Sequence, residues 1–280
     1  MNAQRFQGKV AVVTGGNSGI GLATARLFKQ EGADVVIFGR DRKTLDAAVA
    51  ELGGSTLGVQ GNASVLADLD RLFAKTKERF KRIDVLFVNA GIYKMAPVAE
   101  TPEALVDEVM DVNFKGAFFT AQKALPLLAQ GASVVFNTSA ATDVVMPGAS
   151  VYSASKAALR VLMRTLAAEL LDRSIRVNAV SPGPIETPIF GRTEMPEAAR
   201  DEMGKKILQM IPMRRFGQAD EVAKAVLFLA SSDASFTTAA ELTVDGGVVM
   251  LSPNPAPATD EPGTVESPNP RPKSLATQPR

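Results

Sequence analysis

The chain has 280 residues, 46% hydrophobic and 22% charged, with 31 Lys+Arg against 30 Asp+Glu and a formal net charge of +1. This balance suits a soluble globular protein with a sizeable core, and it carries no basic field for nucleic acid or an anionic membrane. With no Cys and no His, disulfides, thiolate nucleophiles, Cys- or His-ligated metals and Ser-His-Asp hydrolysis are excluded.

Any general acid or base is therefore Asp, Glu, Lys or Tyr, and the tyrosines are two, Tyr93 and Tyr152. The first ten residues lack the apolar segment of a signal peptide. No uncharged apolar run reaches the roughly 18 residues that a membrane span needs. A cytoplasmic location is the expectation.

The first predicted strand, 9–14, contains Val-Ala-Val-Val. It runs into Thr14-Gly15-Gly16-Asn17-Ser18-Gly19-Ile20-Gly21 and then a helical pattern of Ile20, Ala23 and Leu27. Glycines let a backbone approach a pyrophosphate, and a helix N-terminus offers N–H groups and a positive dipole end. Further strands are expected at 34–38, 56–60, 84–88, 133–138, 175–180 and 241–244. Several are apolar on both faces, as buried parallel strands are. Between strands three and four, Val65, Leu69, Leu72, Phe73, Thr76 and Phe80 recur at helical spacing, with Ser64 placed to cap the start. A second long helix is expected at 151–171. Strand and helix alternating about six times predict a single α/β domain over 1–251. Its fold would be a Rossmann-like doubly wound parallel sheet of about seven strands with helices on both faces, binding ligands where the strand order reverses. From 252 to 280 the composition changes: eight of the 17 prolines fall there, and Ser-Pro-Asn-Pro occurs twice. Such a segment is expected to be a disordered tail.

Residues 14–21 resemble the cofactor motif of the short-chain dehydrogenase/reductase family. Asn89-Ala90-Gly91 is similar to that family's Asn-Ala-Gly turn, and Asn113, Ser139 and Tyr152-x-x-x-Lys156 are similar to its catalytic tetrad. Pro182-Gly183 follows the sixth strand, as in the family. The resemblance covers about 6–250. It implies an oxidoreductase that moves a hydride between a nicotinamide nucleotide and a carbonyl/secondary alcohol pair. The implied nucleotide contacts are Thr14, Gly15, Asn17, Ser18, Gly19, Ile20, Gly21, Asn62, Ala63, Asn89, Ala90, Gly91, Tyr152, Lys156, Pro182, Gly183, Ile185 and Thr187. Where an acid would bind the ribose hydroxyls of NAD, the second strand ends in Gly39-Arg40. Arg40 is suited to a 2′-phosphate, so NADP(H) is favoured over NAD(H), and Gly39→Asp is expected to invert the choice. Asn62 replaces the family's usual Asp, and its amide oxygen still accepts a hydrogen bond from adenine.

Tyr152 and Lys156, four apart, share a helix face. An ammonium about 5 Å from a phenolate at an effective dielectric near 20 stabilises it by roughly 3 kcal/mol, about two pKa units. Desolvation opposes this and an oxidised nicotinamide assists it. The resemblance gives Lys156 a second task on the nicotinamide ribose, gives Ser139 the substrate oxygen, gives Asn113 a water linking Lys156 to solvent, and gives Ile185 and Thr187 the carboxamide. Taken alone, Asn113 reads as a helix-interior residue bonding locally to backbone.

The substrate is less legible. Tyr93, Met95, Val144, Val145 and Phe190 are candidate walls, and the stretch 188–213 carries Met195, Met203, Met210 and Met213. These Met residues suit an adaptable apolar lid or ordinary helix packing. Arg173 is the one basic candidate for an acyl-carrier-protein rim, so an uncharged ketone or alcohol is expected. Relatives commonly form tetramers through helices here at 114–128 and 151–171, and a homo-oligomer is expected. Other readings stay open: an NAD-preferring dehydrogenase, a dehydratase or epimerase, and a non-catalytic nucleotide sensor with the tail as its interaction segment.

Overall fold

Runs of β-branched residues build the centre of the molecule. The computed structural model describes residues 4–187 and 197–251. β1 (Val10–Thr14) is buried along its whole length and leads through the glycine turn into α1 (Gly19–Gln30). The chain continues through β2 (Asp34–Gly39), α2 (Arg42–Leu52), β3 (Leu57–Gln60), α3 (Leu66–Phe80) and β4 (Ile83–Val88). Next come α4 (Glu103–Met110), a π-helical turn (Asp111–Lys115), α5 (Gly116–Ala124), β5 (Leu128–Asn137), α6 (Ser150–Glu169) and β6 (Arg176–Pro182). The last part holds β7 (Ile185–Glu186), α7 (Glu197–Met210), β8 (Gly217–Gln218), α8 (Ala219–Ala230), β9 (Glu241–Val244) and α9 (Val248–Leu251).

Seven strands form one parallel sheet in the order β3-β2-β1-β4-β5-β6-β9, the doubly wound Rossmann-like fold that the alternation predicts. One face packs on α3, α5 and α6 through Leu69, Leu72, Phe136, Leu159 and Met163. The other packs on α1, α2 and α8 through Phe28, Ile37, Leu45, Phe87 and Val226. Strand order reverses between β1 and β4, so the ends of those strands open a crevice.

Local details depart from expectation. Ser64 does not cap α3: Val65 holds the N-cap position, and the Ser64 N–H donates to Asn62 Oδ1 at 3.2 Å, the short-range turn that Asn side chains favour. β5 begins at Leu128 because Ile83 pairs with Leu128 and Val85 with Ser133, so residues 129–132 bulge outward around Gly131 at φ +75°. β7 and β8 form a separate two-stranded ladder. Among the described residues no helix is long and apolar enough to cross a membrane. Phe190, Met195 and the tail at 252–280 lie outside the described residues.

Candidate active site

The turn after β1 is shaped by what a side chain would strike. Gly15 and Gly19 have φ of +65° and +53°, the left-handed region where glycine carries no steric penalty. A Cβ on Gly21 would lie 2.2 Å from Gly15 O, so the turn closes only around glycine. Asn89, just past β4, locks it from the side: its Nδ2 donates to Thr14 O (2.9 Å) and Gly15 O (3.4 Å). The N–H groups of Asn89 and Ala90 donate to Thr14 Oγ1 at 2.9 and 3.1 Å.

In front of this turn lies a cavity of about 790 Å³, within the range of ligand sites. It is bordered by Gly15, Asn17, Ser18, Gly19 and Ile20, by Arg40, Asn62 and Ala63, by Asn89, Ala90 and Gly91, by Ser139, Tyr152 and Lys156, and by Pro182, Gly183, Ile185 and Thr187. Of the residues singled out in the sequence, Thr14, Gly21 and Asn113 stand behind this wall and shape it. A long crevice with a helix N-terminus and glycine backbone at its middle fits a dinucleotide, whose pyrophosphate needs close backbone approach.

At the β2 end, exposed Arg40 borders the cavity, and its carbonyl accepts from Gln60 Nε2 at 3.1 Å. Arg42 is engaged by Asp46 at 2.8 Å. A Cβ on Gly39 would sit 2.4 Å from Asn17 Oδ1, and Asn17 is tied to Thr44 Oγ1 at 2.8 Å. An acid at position 39 therefore displaces Asn17, which the expectation for Gly39→Asp left out. The Asn62 N–H donates to Asp68 Oδ2 at 2.8 Å; that bond, and Arg71 beside it, hold the Asp68 carboxyl below its ordinary range against the opposing effect of burial.

At the other end, α6 presents Tyr152 and Lys156 on successive turns. Ser139, whose Oγ accepts from Ala141 N at 3.2 Å, faces the Tyr152 hydroxyl closely enough to favour its ionised form. The buried Lys156 ammonium donates to Asn137 O at 2.7 Å and stands 5.9 Å from the Tyr152 ring centroid. Burial pushes the Tyr152 phenol up, and the Ser139 hydrogen bond only opposes it. Burial also holds Lys156 down to about 8. Desolvation, not the expected depression by its lysine, is thus the largest effect on Tyr152 in this arrangement.

Asn113 differs from the reading as a locally bonded helix residue. The π-helical turn, one residue wider than an α-turn, faces it inward. Its Oδ1 accepts from Ile92 N (2.8 Å), while Nδ2 donates to Ile92 O and Ser155 Oγ (both 3.0 Å). It joins the loop after β4 to α6 one residue before Lys156, and its Oδ1 and the Lys156 Nζ both approach Gly91.

The wall beyond Tyr152 is apolar. Tyr93, Val144, Met146, Ile207 and Met210 border it. Val145 is 90% exposed and takes no part, whereas Ile92, Ala141, Met146 and Ile207 were not singled out by the sequence. Tyr93 packs edge-on against Tyr152, ring centroids 4.8 Å apart, and its hydroxyl lies 2.9 Å from the Met95 sulfur and 3.3 Å from that of Met146. Burial, with Tyr152 adding, pushes the Tyr93 phenol up to about 12. Among the described residues, the charged side chains on the cavity are Arg40 and Asp41 at the β2 end and Lys156. Arg173 spends its guanidinium on the carbonyls of Leu125 (3.0 Å) and Leu128 (2.5 Å).

A family profile described as enoyl-(acyl carrier protein) reductase matches residues 15–249. The chain is 45% identical to "Oxidoreductase asL5" of Sarocladium schorii over 251 residues, 89% of this chain and 98% of the relative. It is 39% identical to the 3-oxoacyl-(acyl-carrier-protein) reductase FabG of Thermotoga maritima, covering 88% of this chain and all of that one. Among solved structures, a 3-ketoacyl-(acyl-carrier-protein) reductase from Brucella melitensis complexed with NADH superposes with TM-score 0.80 at 30% identity, covering 87% of this chain and 99% of that one. With this sheet order and this crevice, the chain belongs to the short-chain dehydrogenase/reductase family, pyridine-nucleotide-dependent oxidoreductases acting on CH–OH and C=O groups.

Proposed function

We propose that the chain interconverts an uncharged ketone and its secondary alcohol using NADP(H), with Tyr152 as general acid/base. The observation that carries this reading is the meeting of Ser139, Tyr152 and Lys156 at one end of a crevice whose other end is bordered by Arg40, where β2 ends in Gly39 and the nearest acid, Asp41, caps α2 through the Thr44 N–H. When bound, a nicotinamide would supply hydride transfer and, in its oxidised form, a positive charge that favours the phenolate. Tyr152 gives its proton to the carbonyl oxygen during reduction and takes one from the alcohol during oxidation. Ser139 donates to the same oxygen and steadies its developing charge. Lys156 holds ribose hydroxyls and, with Asn113 behind it, passes protons toward solvent. Arg40 pairs with the 2′-phosphate. The apolar wall of Tyr93, Val144, Met146, Ile207 and Met210 favours an uncharged substrate over a carboxylate. A homotetramer completes the reading, supported by Phe118 and Val161, exposed on α5 and α6.

The test is a panel of uncharged ketones, acetophenone and ethyl acetoacetate among them, assayed with NADPH and NADH. Turnover with NADPH is expected, and Tyr152→Phe is expected to abolish it while leaving NADPH binding within about twofold. Oxidation of the product alcohol is expected to rise with pH through the Tyr152 ionisation, because that direction needs the phenolate. Substantial activity in Tyr152→Phe refutes the assignment, since the chain has no His or Cys to take over.

A further inference from the structure

Two lines of contact run from Ser139 and converge on one guanidinium outside the tetrad. On one side, Thr138 Oγ1 donates to Glu241 Oε1 at 2.5 Å, and Arg160 Nε donates to the other oxygen of that carboxylate. Glu241 is at the start of β9, with its side chain only 8% exposed. On the other side, Ser139 opens a short 3₁₀ turn, Ala140–Thr142. There the Thr142 hydroxyl lies 2.9 Å from Ser139 O and 2.8 Å from Asp143 Oδ2. Both Asp143 oxygens accept from the Arg160 fork, at 3.0 and 2.5 Å. Arg160 stands on α6 one turn beyond Lys156 and two beyond Tyr152. The helix that carries the acid/base thus grips both flanks of the serine that faces it.

We propose that Arg160, through Glu241 and Asp143, is a positioning residue that sets the Ser139 hydroxyl against Tyr152. The inference rests on the reading of Ser139 and Tyr152 as the reacting pair. Burial and pairing support a fixed clamp: the Arg160 side chain is 24% exposed and Asp143 33%. Arg–carboxylate forks give geometric specificity that a single contact does not. The two acids hold the guanidinium firmly charged, and Arg160, foremost among its neighbours, holds the Asp143 carboxyl below its ordinary range. The clamp also fixes the start of the substrate wall, since Val144 follows Asp143 directly and Met146 lies two residues further on.

Composition provides a readout that needs no substrate. The chain has no Trp and two Tyr, so Tyr93→Phe leaves Tyr152 as the sole phenol and its ionisation is followed by ultraviolet absorbance. The groups facing Tyr152 are Ser139, Lys156 and Tyr93, and of these only Ser139 touches the clamp through its flanking residues. In the Tyr93→Phe background saturated with NADP⁺, Arg160→Met is expected to move the Tyr152 ionisation upward by about one pH unit, the loss of one hydrogen bond to the charged form. NADPH affinity stays within about twofold. Turnover on the best ketone of the panel falls about tenfold to a hundredfold, the scale of a misplaced reacting group. Glu241→Ala separates positioning from charge: removing an acid lowers the ionisation if only the field matters, whereas loss of the clamp raises it. Arg160→Lys, which keeps the charge without the fork, is expected to recover part of the shift and serves if Arg160→Met does not fold. An unmoved titration in folded Arg160 variants overturns the proposal, as does a downward shift in Glu241→Ala. Activity surviving in Tyr152→Phe instead sinks the catalytic reading and leaves the titration to judge Arg160 alone.

Discussion

Replacing Arg40 by Ala tests nucleotide choice at the guanidinium that borders the crevice beside β2. Its backbone is pinned by Gln60, so the substitution removes a side chain without releasing the strand end. Neighbouring Arg42, paired only at the surface with Asp46, and Lys43 share part of the load and blunt the effect without changing its direction. A hydrogen bond to a charged group contributes about 1.5–3 kcal/mol. Arg40 is exposed, which places it at the lower end, and roughly 1.4 kcal/mol is tenfold in affinity. NADPH is therefore expected to weaken about tenfold and NADH by less than about twofold. The loss should shrink at high ionic strength, because exposed charge pairs are screened. Fluorescence titration of both nucleotides into the parent and Arg40→Ala proteins, at low and high salt, measures this. Equal weakening of both, or tighter NADH binding by the parent, refutes the assignment. Gly39→Asp is a poorer probe, since its Cβ meets Asn17 and the new carboxylate arrives with a disturbed glycine turn.

Burial holds Lys156 down to about 8 from its ordinary 10.5, so between those values the unfolded chain binds more protons and stability rises with pH. The penalty is full below about 8, where it amounts to as much as about 3 kcal/mol. Lys156→Met removes it, so urea denaturation should show the variant gaining on the parent near pH 7 and that gain shrinking toward pH 10; a gap that does not change with pH contradicts the buried ammonium. Light scattering at micromolar concentration is expected to give a tetramer, and a monomer there removes the oligomer from the reading.

Strands were legible because Val-Ala-Val-Val and its counterparts are apolar on both faces, a pattern that fits a sheet covered on both sides. The glycine turn and Tyr152-x-x-x-Lys156 were legible because sterics and helical spacing are local properties. What failed depended on distant partners. The fifth strand is expected at 133–138, yet β5 starts at Leu128 because Ile83 supplies that residue with a pairing partner across a bulge. Lys156 is expected to depress Tyr152, but packing buries both groups and desolvation is the largest effect on each. Arg160, Asp143 and Glu241 are far apart in sequence, and only the packing of β9 beside β6 and the turn after Ser139 bring them to one place.

The wide turn at Asp111–Lys115 acts as a phase shifter. Because each residue advances a helix by about 100°, its extra residue rotates everything after it relative to α4. Upstream, Val109 is the buried position; downstream, Ala117, Thr120, Ala121 and Ala124 are. One continuous rod thereby presents different faces to α6 and to α3, and Asn113 sits at the seam. Deleting a single residue there would let the wide turn close to an ordinary α-turn with α5 kept in phase on the sheet, but Asn113 would lose the seat from which it reaches Ile92 and Ser155. In a library of variants, loss of one residue from this turn should therefore keep the fold and cost turnover, whereas Gly116 at the start of α5 should reject any side chain, because a Cβ there would lie 2.8 Å from Ala63 O.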